Sequence, residues 1–139
     1  MIQRIQSIYL LLAAVASTAL FALPFATAPI QPEGLLQDGS FDISDHVGLM
    51  GLTIGIGILA LVAIFLYSNR ILQMNIGRLN IVLLAALLGL TAYLYSTIEV
   101  NSTLGLGIGI PVLVGVFILL ANRNIQKDEK LVRSADRLR

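Results

Sequence analysis

The segment that decides the fold is residues 47–68, VGLMGLTIGIGILALVAIFLYS, which contains no charged residue. A helix needs about 20 apolar residues to cross the roughly 30 Å hydrocarbon core of a bilayer. Three further uncharged segments meet this requirement, residues 5–28, 79–98 and 104–121. Membrane strands would be shorter and would alternate in polarity. The sequence therefore predicts an all-α fold, a single membrane domain of four helices arranged up, down, up and down.

The composition excludes a water-soluble domain. Apolar residues make up 57% of the chain and charged residues only 12%, and the mean hydropathy is +0.88. Both values lie far from those of soluble proteins. Cysteine is absent, which rules out disulfides and thiolate chemistry.

The basic residues predict an orientation, because Lys and Arg accumulate on the cytoplasmic side of short membrane loops. Every one of them falls before the first span, between the second and third, or after the fourth: Arg4, Arg70, Arg78, Arg123, Lys127, Lys130, Arg133, Arg137 and Arg139. The opposite loops, 29–46 and around Glu99, carry only acidic charges. Both termini are therefore expected in the cytoplasm.

The first span has a competing interpretation as a cleaved signal peptide. Arg4, the apolar stretch and Ala26-Thr27-Ala28 imitate one. Pro29 would follow the cut, where proline is poorly tolerated, and the apolar run exceeds a usual signal core. Cleavage would leave three spans.

The two ends of the chain are distinctive strings. The opening MIQRIQSIYLLLAA, residues 1–14, and the closing LANR, residues 120–123, and KDEKLVRSADRLR, residues 127–139, closely resemble a family of small bacterial inner-membrane proteins, domain-of-unknown-function family 4293. The resemblance covers nearly the whole chain and implies a four-span protein of the bacterial inner membrane. It implies no activity, so it assigns no functional residue.

The second and fourth spans also resemble each other. GIGILALVAIF at 55–65 matches GIGIPVLVGVF at 107–117, and an Asn-Arg pair follows each span. The first and third spans match more weakly, through Arg-Ile-Gln at 4–6 and Arg-Leu-Asn at 78–80. This pattern predicts two parallel helical-hairpin repeats. Chance remains the alternative, because apolar spans draw on few residue types.

Small residues in the second and fourth spans are candidates for helix packing. Gly51 and Gly55, and likewise Gly105 and Gly109, are four residues apart, which lets helix backbones approach closely. Pro111 lies within the predicted fourth span, where it bends the helix unless it occupies the first turn. The functional alternative is a hinge or a partner-binding groove.

The segment 122–139 is predicted to be a basic, amphipathic tail helix on the inner membrane surface. Candidate contacts with lipid headgroups or a partner are its basic residues, Arg123, Lys127, Lys130, Arg133, Arg137 and Arg139. Such flanks routinely act as topology anchors, and no nucleic-acid partner is expected.

Candidate chemistry is sparse. The only histidine, His46, follows Asp42 and Asp45, but one imidazole with loop carboxylates lacks the spacing of a metal site. Capping of the second span by Ser44 or Asp45 is the simpler prediction. Glu99 lies at the end of a span, where a carboxylate reaches headgroups and water. We expect no catalytic, cofactor-binding or metal-binding residue, and hence no enzyme.

The sequence favours a structural or accessory membrane protein that associates with itself or with a larger complex through its glycine-bearing faces. The alternative is a small transporter or lipid-binding protein. A polar cavity lined by Thr53, Thr91, Tyr93 and Ser96 would favour the alternative, and a solid apolar core would favour the accessory role.

Overall fold

The computed structural model describes residues 3–29, 34–36, 38–98 and 101–136. Within these ranges the chain forms four α-helices, which are α1 (Gln3–Ala19), α2 (Val47–Phe65), α3 (Arg70–Ser96) and α4 (Gly109–Asp136). The connections contain three two-residue strands, β1 (Ala26–Thr27), β2 (Ser40–Phe41) and β3 (Thr103–Leu104), and two 3-10 turns, Ile43–Asp45 and Leu106–Ile108.

A small antiparallel sheet shows how the helices run. Strand β1, which follows α1, pairs on one side with β2, which precedes α2, and on the other with β3, which lies between α3 and α4. The sheet therefore gathers the ends of α1 and α3 and the starts of α2 and α4 at one end of the bundle, here called the sheet end. The opposite end is the tail end. The predicted all-α, up-down-up-down bundle is confirmed.

The helices pack as a ring, with α1 and α3 each contacting α2 and α4. Interior positions are spaced alternately four and three residues apart along each helix: Gln6, Leu10, Ala13, Ser17 and Leu20; Leu49, Thr53, Ile56, Ala60 and Ala63; Gln73, Gly77, Asn80, Leu84, Leu87, Thr91 and Leu94; Pro111, Val114, Ile118, Ala121, Ile125 and Asp128. This repeat is typical of left-handed helical bundles. Large apolar side chains also cover the outside, so the bundle is apolar on both faces.

Three stretches among the described residues are long and apolar enough to cross a membrane, α2, α3 and Leu106–Ala135. The apolar part of α1, Ile5–Ala19, is shorter. These lengths and compositions suggest a membrane protein.

Helix α1 ends before the predicted first span, 5–28, does. Helix α1 ends at Ala19, where the hydroxyls of Ser17 and Thr18 donate to backbone carbonyls three residues earlier, at 2.7 Å in both cases. A short turn follows, and Pro24 cannot donate a backbone hydrogen bond to continue a helix. The chain then becomes extended and enters β1.

The helix bounds also differ from those of the predicted third and fourth spans. Helix α3 begins at Arg70 rather than Leu79, because the Asn69 side chain caps it by accepting from the backbone N–H of Leu72 at 3.1 Å. Helix α4 continues through the predicted tail to Asp136 as one helix. Predictions for Glu99, Arg137 and Arg139 fall outside the described residues.

Candidate functional site

Four buried amide side chains meet in the tail-end half of the bundle. They are Gln6 on α1, Gln73 and Asn80 on α3, and Asn122 on α4, and none is more than 7% exposed. We call these four residues the amide cluster. The other buried polar side chains of the described residues, Ser17, Thr53, Thr91 and Asp128, are not amides. The amide cluster is the candidate functional site because its members contact one another's helices.

The first contact joins three helices. The Gln73 side chain donates from Nε2 to the backbone carbonyl of Ala63 at 2.8 Å. Ala63 lies in the last turn of α2, where carbonyls lack a partner within the helix. The Gln73 Oε1 then accepts from Gln6 Nε2 at 3.5 Å. Because α1 and α3 lie diagonally across the ring, this pair crosses the bundle axis.

The other two amides add a second contact between α3 and α2 and a contact between α3 and α4. Asn80 donates from Nδ2 to the carbonyl of Ile56 on α2 at 3.1 Å. The Asn122 amide lies against Gly77, so closely that a Cβ at Gly77 would overlap it. One face of α3, formed by Gln73, Gly77 and Asn80, therefore makes polar or close-packed contacts with all three other helices.

The cluster has more hydrogen-bonding capacity than the described residues use. Gln6 Oε1, Asn80 Oδ1 and Asn122 Oδ1 are buried and have no hydrogen-bond partner among them, and neither does Thr53 Oγ1 on α2. A buried acceptor without a partner costs about 1–3 kcal/mol. Unsatisfied groups of this kind require an explanation in a native fold.

The tail end is basic and exposed. Arg123, Lys127, Lys130 and Arg133 lie on the outer faces of α4, where Arg133 forms an ion pair with Glu129 at 2.8 Å. The inner face of the same segment packs on the bundle through Asn122, Ile125 and Asp128. The predicted contact residues in this described part are thus solvent-accessible on a helix anchored from its other side.

A groove of about 540 Å³ lies between the α2–α3 turn and the end of α4, lined by Tyr67, Ser68, Asn69, Arg70, Ile71, Glu129 and Val132. The Arg70 Nη1 donates across it to the Asp128 carbonyl at 3.5 Å. Its walls combine polar and apolar groups.

Within one chain, most of the predicted packing glycines do not mediate close contacts. An added Cβ at Gly51 or Gly109 would meet nothing within 4 Å, and at Gly55 only a Leu83 methyl at 3.9 Å. Gly105 does lie tightly against the Pro24 carbonyl, but at the sheet end and outside the helices. A role for these glycines in association with other chains stays a prediction.

Close approach between helices occurs at other glycines. A Cβ at Gly57 would lie 2.9 Å from the Ser17 hydroxyl, and one at Gly115 would lie 2.9 Å from a Leu84 methyl. Gly77, against Asn122, is the third such position. At each of these positions a side chain of the adjacent helix lies against the glycine.

Pro111 lies in the first turn of α4 and is buried. N–H groups in the first turn have no acceptor within the helix, so proline loses no helical hydrogen bond there. Its fixed φ also suits a helix start. Of the two positions that the sequence allowed for this proline, the first turn of the helix is the one observed.

The predicted cap of α2 is wrong in detail. His46 is itself the N-cap, and its Nδ1 accepts from the backbone N–H of Gly48 at 3.0 Å. Asp42 and Asp45 instead cap the preceding 3-10 turn reciprocally. Burial raises the pKa of Asp45.

Among the described residues, no group of three or more His, Asp or Glu side chains could hold a metal ion.

The four polar residues proposed to line one cavity do not come together. Thr53 and Ser17 line a groove of about 200 Å³ between α1 and α2, whereas Thr91 lines one of about 210 Å³ between α3 and α4. Tyr93 and Ser96 are exposed. The core at the sheet end is apolar and includes the tilted ring pair of Phe25 and Phe41, with centroids 5.6 Å apart.

The amide cluster is the site that sequence reasoning missed, because it searched the spans for charges and amides carry none. Gln6 and Asn80 did occur at matched positions of the proposed repeat, and both are buried. Asn69 and Asn122 are also matched in sequence, yet Asn69 caps α3 and Asn122 lies inside α4. The repeat therefore stays a prediction.

Comparison with known proteins leaves the activity open and gives the family. No curated protein and no solved structure matches the chain. The family model described as Domain of unknown function (DUF4293) matches residues 2–138, and the chain belongs to this family.

Proposed function

We propose that the protein is a non-enzymatic structural or accessory component of the bacterial inner membrane, with both termini in the cytoplasm. The distribution of charge supports this orientation. Among the described residues, Asp38, Asp42 and Asp45 lie at the sheet end, and the basic residues of α4 lie at the tail end. A tail end in the cytoplasm agrees with the bias of Lys and Arg towards that side.

The observation that carries the accessory role is the open surface at Gly51. This glycine is exposed on α2, and a Cβ placed on it would meet no atom within 4 Å beyond the neighbouring backbone of its own helix. Ile54 and Ile58, three and seven residues further on, are exposed on the same helical face. A small residue between apolar side chains lets a second membrane helix approach closely. Gly109, beside exposed Val112 on α4, offers a similar position.

The test is to extract the protein from its native membrane in polymer nanodiscs and to determine its mass and its copurifying molecules by mass spectrometry. A dimer, or a stoichiometric partner protein, supports the accessory role. A monomer without a protein partner contradicts it.

The alternative is a lipid-binding protein, favoured by the groove between α3 and α4. Its lining residues are apolar except for Thr91 and Tyr95. The Thr91 hydroxyl donates to the Leu87 carbonyl at 2.8 Å, and the Tyr95 hydroxyl is bonded to Ser102 at 2.9 Å. The groove thus offers an apolar surface suited to an acyl chain. A specific lipid retained by a monomer in the same experiment would favour this alternative.

A further inference from the structure

The orientations of two amides in the cluster are dictated by backbone carbonyls. The Ala63 and Ile56 carbonyls accept hydrogen bonds, so each must face an NH₂ group, supplied by Gln73 and Asn80 respectively. Because the NH₂ group of Gln73 already donates to a carbonyl, its Oε1 faces Gln6. Gln6 must therefore donate to it from Nε2. The oxygens of Gln6 and Asn80 are therefore the atoms left without partners.

The residues of the cluster occupy successive levels along the bundle. Gln73 lies level with Ala63 and Asn80 with Ile56, so seven residues of α3 match seven of α2. Asn122 lies at Gly77, between those two levels. At 1.5 Å per residue the cluster extends for about 10 Å, with about 5 Å between neighbouring levels. Two hydrogen bonds to one water molecule span a similar distance.

The chemistry of the unpartnered atoms limits what can bind. The three amide atoms are all acceptors, so the missing partner must donate hydrogen bonds or carry positive charge. A bound cation would lack a carboxylate in the cluster, since the nearest described one on α4, Asp128, lies six residues beyond Asn122. The described charges flanking the tail end, Arg70 and Arg123, would also repel it. Water donates without adding charge, and buried waters typically bind such groups.

We propose that the amide cluster is an internal water-binding site, in which waters donate to Gln6 Oε1, Asn80 Oδ1 and Asn122 Oδ1. The site lies in the tail-end half of the bundle and makes water a structural ligand shared by α1, α3 and α4. It is independent of the accessory role, because no partner chain contributes to it.

The test uses the full-length protein with ¹⁵N-labelled Asn and Gln in lipid bilayers, and measures transfer of ¹H magnetisation from water to side-chain amides by solid-state NMR. We expect transfer to Gln6, Asn80 and Asn122 as well as to exposed Asn75. Backbone amides of Leu87 and Ile118, in the dry sheet-end core, are the negative reference after uniform labelling. If water magnetisation reaches the cluster amides as slowly as it reaches those backbone amides, the proposal is overturned.

A variant tests whether the waters are shared. Asn80→Leu should reduce transfer to Gln6 and Asn122, whereas Thr91→Val, whose hydroxyl bonds within its own helix, should leave it unchanged. Unchanged transfer in Asn80→Leu would overturn a shared site. The wild-type measurement decides on hydration even if the variant does not fold. Movement of the cluster signals when Na⁺ replaces choline at constant ionic strength would assign the oxygens to a cation and overturn the water site.

Discussion

Asn122 of α4 lies directly against Gly77 of α3. A Cβ at position 77 would overlap the Asn122 amide. The contact joins two helices at a level where the interior is polar rather than filled by large apolar side chains. A larger residue at this position therefore requires the Asn122 amide to shift. The backbone φ of Gly77 is not positive, so conformational freedom does not explain the glycine.

Replacing Gly77 by Ala should destabilise the bundle by about 1–3 kcal/mol, because overpacking displaces the Asn122 amide. The measurement is the unfolding free energy in mixed micelles of increasing SDS content. Gly89→Ala on the same helix is the matched control, since a Cβ there meets nothing within 4 Å and Ala favours helix over Gly. Adding Asn122→Ala should restore part of the stability lost in Gly77→Ala. Equal stability of the two glycine variants would contradict the packing argument.

Replacing Gly51 by Leu should abolish association with a second chain while leaving the fold stable. The reason is that Gly51 is exposed and a Cβ there meets no other part of the chain within 4 Å, so a side chain at this position points away from the bundle and obstructs a partner. Gly89→Leu is the control, because this glycine is equally open but lies outside the paired motifs. Oligomer mass in nanodiscs reports association, and thermal unfolding reports stability. Association unchanged in Gly51→Leu would remove the proposed interface.

The number and direction of the helices could be predicted, because apolar length is a strong signal in a membrane chain. The residues at which the helices begin and end could not be predicted. Charges at Arg70 and Arg78 imitate a loop, yet α3 runs through both from its Asn69 cap. The two-residue strands of the sheet are too short to leave a periodic pattern, and they form only because Pro24 and the turn before it end α1 early.

The amide cluster escaped prediction for a different physical reason. When both faces of a helix are apolar, hydropathy gives no contrast between interior and lipid. The contrast that remains is in small and polar residues, and Gln73, Gly77 and Asn80 do follow the four-three spacing of the interior. That spacing could have placed them on one face. The spacing could not have shown that this face of α3 contacts Gln6 of the diagonal helix α1 and Asn122 of the adjacent helix α4.

Replacing Gln73 by Leu should destabilise the protein by about 1–3 kcal/mol, because the Ala63 carbonyl and Gln6 both lose a partner while remaining buried. Thr91→Val is the control, since it removes a hydroxyl that bonds only to its own helix. Adding Gln6→Leu should cost less than the sum of the single changes, because no unpaired Gln6 amide is then left behind. Strict additivity would show that the long Gln6–Gln73 contact is energetically unimportant.

Acidification should protonate Asp45 before Asp38. Burial raises the pKa of Asp45 above the ordinary value of 3.8, and hydrogen bonds from the Ser40 backbone and hydroxyl lower that of Asp38 below it. As the pH falls, the two carboxyl groups change the stability of the fold in opposite directions. As pH falls through the raised pKa of Asp45, protonation removes the cost of burying its charge and favours the folded state. Asp38 contributes stability above 3.8, and that contribution is lost as pH falls through its lowered pKa.

Carboxyl ¹³C chemical shifts of the protein in micelles measure this order directly. Asp45→Asn should remove the higher titration, and Ser40→Ala should raise the pKa of Asp38 towards 3.8 by deleting one of its donors. The backbone N–H of Ser40, which bonds to Asp38 at 3.1 Å, remains in that variant, so the rise should be partial. Titration of Asp38 above Asp45 would mean that the loop packs differently around its carboxylates at the sheet end.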